Sequence, residues 1–76
     1  MKDSLIIQQT MNMLEMTQTE LAKEIGIDKG DMSRFARGIN DLRQVHRVAI
    51  YGLICKKKGK EVANRFLGHV IWKTFY

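Results

Sequence analysis

The stretch TQTELAKEIGIDKGDMSRFARG, residues 17–38, decides the fold. Thr17-Gln18-Thr19-Glu20 is a capping box, in which the threonine hydroxyl accepts from the Glu20 amide while the glutamate reaches back to the Thr17 amide. A short helix is predicted from there to Ile25. Gly26 supplies the left-handed conformation that ends it, Ile27 continues the apolar contact, and Asp28 caps a further helix over about Lys29 to Arg37, stopped by Gly38. Two short helices joined by a tight turn that opens with glycine are the organisation of a helix-turn-helix. Ala22 is small enough for the second of them to cross closely over the first. Leu21, Ile25, Ile27, Met32 and Phe35 fall where the two must meet. At about 100° per residue, Met32 and Phe35 take one side of the second helix, and Lys29, Gly30, Ser33, Arg34 and Arg37 take the other.

Outside this motif, proline is absent and apolar residues recur at three- and four-residue steps, so the expected class is all-α, a compact bundle of about five helices. Before it, a helix starts after Asp3 or Ser4 and runs to about Glu15, with Ile7, Met11 and Leu14 as its apolar face. After it, Asn40 or Asp41 caps a longer fourth helix that ends at Lys56-Lys57-Lys58 and Gly59, where cations complement the carbonyl-end dipole. Leu42, Val45, Ala49 and Leu53 form one stripe on this helix; Val48, Tyr51 and Cys55 form another. A helix apolar on more than one side is either central to the core or shared with a partner. The fifth spans about Lys60 to Thr74, with Val62, Phe66, Leu67, Val70 and Ile71 on one face and Trp72 pointing elsewhere.

A chain of 76 residues allows one small domain and one core. Near this length only about 60% of the unfolded surface is buried, leaving no room for a separate catalytic or ligand-sensing domain. No run approaches the ~18 apolar residues of a membrane span, and no signal-peptide core is expected, since only Leu5 to Ile7 are consecutively apolar near the start. The expected location is therefore the cytoplasm. A single cysteine, Cys55, excludes an internal disulfide, and with His46 and His69 it makes no four-ligand metal set, so neither metal nor cofactor is expected. The net charge of +5 is unevenly spread. Residues 1–28 carry −3, whereas residues 29–65 set ten Lys and Arg against Asp31, Asp41 and Glu61 for +7. Clustered positive charge attracts polyanions such as nucleic acid.

The run from Thr17 to Gly38 resembles the Cro/cI type of helix-turn-helix regulators, the lambda-repressor-like family. Within it, GIDKGDMSRF is also similar to the corresponding stretch of the CII family of phage activators. The resemblance implies a compact bundle, usually dimeric, with its third helix in the DNA major groove, and a regulator of phage or prophage type. The division of labour expected here separates positioning from reading. Thr17 and Gln18, at a helix amino end with free amides, meet phosphate. Lys29 and Arg34 donate to guanine O6 and N7, Ser33 serves any base edge, and Gly30 lets the backbone approach closely. Arg37, Asn40 and Arg43 lie past the reading face and meet phosphate.

The expected function is thus a sequence-specific transcriptional regulator, a homodimer on a palindromic operator in double-stranded DNA. It would repress by blocking polymerase or activate by contacting RNA polymerase, with no small-molecule ligand. A different class stays open: an interaction module, such as an antitoxin or a polymerase-docking factor, using the fourth and fifth helices and the aromatics Trp72, Phe75 and Tyr76. Plainer readings cover the remaining features. The methionines at 11, 13, 16 and 32 are core filler, Cys55 is a small buried hydrophobe, and Lys56 to Lys58 are a solvated helix end or a further DNA contact. His46 and His69 have no acid or thiol placed to make them catalysts. With no phosphate loop, metal cluster or nucleophile with its base, an enzyme is not expected.

Overall fold

A computed structural model describes residues 3–68 of the chain, and among these no strand occurs. Five α-helices follow one another: α1 Asp3–Leu14, α2 Gln18–Ile25, α3 Lys29–Ala36, α4 Gln44–Lys58 and α5 Lys60–Ala63, the last continued by a π-helical turn, Asn64–Gly68. The protein is all-helical, as its periodicity predicts. The chain divides into two units, one ending at Leu42 and the other beginning at Arg43. His69, Val70, Ile71, Trp72, Lys73, Phe75 and Tyr76 lie outside the described residues, and so do the expectations placed on them.

In the first unit, α3 packs against both α1 and α2. Its buried side chains include Ile6, Ile7, Leu21, Met32 and Phe35. The apolar face of α1 is turned from the one expected. Ile6, Ile7 and Thr10 are buried, whereas Met11 and Leu14 are only half-buried. Thr10 can sit there because its hydroxyl donates to the Ile6 carbonyl at 2.7 Å, which leaves no unsatisfied donor.

Helix α1 ends in a wider turn, in which the Met16 amide donates to the Met11 carbonyl at 3.0 Å. Glu15 occupies the left-handed position of that turn, with φ 54°. Glycine normally fills this position, because a Cβ there clashes with the following carbonyl at a cost of about 1–2 kcal/mol. Glu15 is exposed, so a replacement disturbs no packing. Glu15→Gly is expected to raise stability by about 1 kcal/mol in urea denaturation, less the entropy that glycine adds to the unfolded chain. A loss of stability would show that the glutamate side chain contributes more than its backbone costs.

The start of α4 corrects the sequence expectation. Neither Asn40 nor Asp41 caps it; the helix opens after Arg43, which makes no side-chain cap bond. The cause lies far away in sequence. The Leu42 amide donates to Oδ2 of Asp3 at 2.6 Å, and the Leu42 side chain is buried. A charge-assisted bond together with apolar burial outweighs one more helical turn, so Leu42 belongs to the loop and not to the α4 stripe.

In the second unit, α4 packs on α5 and on the π-helical turn. The buried face of α4 is Ile50, Leu53 and Ile54, of which the expected stripes contain only Leu53. Ala49, Tyr51 and Cys55 are half-buried, so Cys55 is not the enclosed hydrophobe expected. The Tyr51 hydroxyl donates to Oδ1 of Asn64. The fifth helix departs most: α-helical geometry stops at Ala63 and passes into a π turn. That turn aligns residues five apart, and Ala63, Leu67 and Gly68 are buried, with Val62 and Phe66 half-buried instead of forming the inner face.

Candidate functional site

The polar surface of α3 is built by short-range interactions. At the start of α2, the Thr17 amide donates to Oε1 of Glu20 at 2.9 Å and the Glu20 amide donates to Oγ1 of Thr17 at 3.1 Å, completing the predicted box. At its end, Gly26 is left-handed with φ 73°, and the Ile27 amide reaches back to the Ala22 carbonyl at 2.9 Å. Both Ala22 and Ile27 are buried, which supplies the apolar contact that normally accompanies such a turn. Helix α3 then opens on Asp28, whose Oδ2 accepts from the Gly30 amide at 3.0 Å. It closes on a second wide turn, with the Ile39 amide donating to the Arg34 carbonyl and Gly38 left-handed at φ 77°. Both ends of α3 are therefore fixed without help from a partner.

Between these ends the two faces separate as the 100° arithmetic predicts. Met32 is fully buried and Phe35 is 8% exposed, while Lys29, Gly30, Arg34 and Arg37 are exposed and Ser33 is half-buried. Of the expected packing set, Leu21, Ala22, Ile27, Met32 and Phe35 are buried; Ile25 is half-buried. The face is less basic than the +7 over residues 29–65 suggests, since Lys29, Arg34 and Arg37 are offset by Asp28 and Asp31 to a net +1 over residues 28–37. The larger excess lies on α4 and beyond, where Lys56, Lys57, Lys58 and Lys60 are exposed.

Arg34 does not extend freely into solvent. Its Nη2 forms an ion pair with Oδ1 of Asp31, and the guanidinium lies back along the helix over Gly30. A Cβ at Gly30 would stand 3.2 Å from Oδ2 of Asp28 and 3.8 and 3.9 Å from Nη1 and Nη2 of Arg34. The bare Cα of Gly30 thus lies beneath both the helix cap and the arginine head group.

The expected phosphate contacts divide. Thr17 is exposed and Gln18 half-buried at the amino end of α2, where the capping box leaves the Gln18 and Thr19 amides without a partner among the described residues. The Glu20 carboxylate shares that end and opposes the helix dipole toward an incoming anion. Arg37 and Asn40 are exposed at the carboxyl end of α3 and in the following turn. Arg43, also exposed, begins the second unit. Between Arg37 and Asn40 stands Ile39, 60% exposed, a residue outside the predicted reading and packing sets. Its place one residue after a left-handed glycine was visible, but an apolar residue there usually turns inward.

Among the described residues no group of His, Cys, Asp and Glu is arranged to hold a metal ion, and no helix is long and apolar enough to cross a membrane. No protein-family model, characterised protein or solved structure matches the chain.

Proposed function

We propose that this protein is a sequence-specific DNA-binding regulator of the helix-turn-helix kind, akin to the Cro/cI group that residues 17–38 resemble. One observation carries the reading: α3 is held by caps at both ends and buries Met32 and Phe35, yet it turns Lys29, Gly30, Arg34 and Arg37 outward, with Ser33 half-buried among them. A helix with no structural need for that face, and of a width that enters the major groove, is suited to reading base edges. Lys29, Ser33 and Arg34 contact bases. Gln18, Thr17, Arg37, Asn40 and Arg43 contact phosphate. As a homodimer the protein would place two such helices on half-sites about 34 Å apart, and occupancy would block polymerase or recruit it.

The test is affinity for an operator obtained by binding-site selection, compared with scrambled DNA over a salt series. Operator binding should be tighter by about 10³-fold or more. Arg43→Ala should weaken both sequences alike and flatten the salt dependence by about one phosphate contact. Equal affinity of the unaltered protein for both sequences would sink the proposal.

A second reading, an interaction module for another protein, is favoured by α4, whose Val45 and Val48 are 66% and 41% exposed one turn apart. Sedimentation separates the two, because self-association accounts for these valines without a foreign partner.

A further inference from the structure

We propose that Asp31 is a positioning residue for base reading: it holds the Arg34 guanidinium in one orientation over Gly30, so that Gly30, Asp31 and Arg34 act as a single guanine-reading unit. This rests on the DNA-binding function proposed above and goes on to say how its specificity is set.

Three observations converge on this unit. First, Asp31 lies on the edge of the outward face, about 40° round α3 from Phe35 on one side and about 60° from Arg34 on the other. From there its carboxylate reaches Nη2 of Arg34 without entering the face itself. Second, the guanidinium lies along the helix surface at Gly30, 3.8–3.9 Å from where a Cβ would stand, which is ordinary contact distance. Third, the pair does little for stability. Both side chains are about half exposed, 45% and 50%, and solvent screening leaves exposed pairs at this spacing with little net contribution.

An acid beside a DNA-reading surface costs affinity through repulsion from phosphate unless it does something else there. Orienting an arginine is such a role. A guanidinium has five N–H donors in a rigid plane, and a carboxylate that holds Nη2 narrows the directions open to the others. Bidentate donation to O6 and N7 of guanine requires that plane to lie in the plane of the base pair, so an arginine already held loses less rotamer freedom on binding. As DNA excludes water the pair strengthens, because its surroundings become less polar.

The effect has a sign that simple charge cannot imitate. Removing a negative charge near DNA should raise affinity for every sequence. Removing a positioning carboxylate should lower the preference for guanine at one base pair. Four proteins, the unaltered chain, Asp31→Ala, Arg34→Ala and the double variant, would be titrated with the selected operator. Each would also be titrated with the operator changed from guanine to adenine at the position where Arg34→Ala abolishes discrimination. Asp31→Ala should reduce that guanine preference by about tenfold while affinity for scrambled DNA holds or rises. In the Arg34→Ala background the same change should leave the base preference untouched. Thermal unfolding of Asp31→Ala should stay close to that of the unaltered protein, which separates positioning from a structural role. An unchanged or increased guanine preference in Asp31→Ala overturns the proposal and leaves the DNA-binding function standing. Absence of any operator preference in the unaltered protein overturns both.

Discussion

Phe35→Ala is expected to destabilise the protein by about 3–5 kcal/mol, the range for emptying a buried aromatic position. Phe35 is 8% exposed on the side of α3 that meets α1 and α2, so truncation leaves a void where three helices converge. For a chain of 76 residues the whole stability is on the order of 4–11 kcal/mol, and the loss is therefore a large share of it. The melting temperature should fall by on the order of 20 °C, and operator binding should disappear as the folded population does. Urea denaturation followed by circular dichroism measures the change directly. A loss below about 1 kcal/mol would mean that Phe35 is not a core residue and that the two faces of α3 are wrongly divided.

Arg34→Ala, one residue earlier, should do the opposite. Its guanidinium is half exposed and its ion pair with Asp31 contributes little, so thermal unfolding should change by no more than about 0.5 kcal/mol. Operator affinity should nevertheless drop by about 1–3 kcal/mol, roughly 5- to 150-fold, with relaxed selectivity at one base pair. Affinity for scrambled DNA should fall far less, because only one of several cations is lost. Neighbouring residues with opposite signatures, one on folding and one on selectivity, are what a helix with a packing side and a reading side requires. Should Arg34→Ala retain the full operator preference, the base-reading role passes from Arg34 to Lys29 or Ser33.

The parts of this arrangement that were legible in the sequence share a physical property: they close within a few residues. The reciprocal bonds of Thr17 and Glu20 and the Asp28 cap each join a side chain to a backbone group at most three positions away, and the turn at left-handed Gly26 closes on the Ala22 carbonyl within five positions. Their identity fixes their geometry almost irrespective of surroundings. The alternation of Phe35 and Arg34 between faces follows from helical periodicity in the same way. The spacing of Asp31 and Arg34 marks a possible pair, but that the guanidinium would settle over Gly30 depends on the side-chain path and could not be read from spacing.

Other features were settled at longer range. Asn40 and Asp41 are sound helix caps by composition, yet the Leu42 amide finds Asp3, 39 residues away, and α4 starts later. Helix α4 is apolar around much of its circumference, so no single stripe is preferred from sequence, and only packing selects Ile50, Leu53 and Ile54 over Val45 and Val48. The π turn after Ala63 and the left-handed Glu15 have no compositional mark at all. The sequence by itself determined an all-helical chain, the turn at Gly26, and which side of α3 faces outward, because local bonding and periodicity suffice for these. Tertiary structure alone decided where α4 begins and which of its apolar faces is buried. Each of those is a competition between distant groups for the same amide or the same volume, and a one-dimensional pattern carries no record of which neighbour wins.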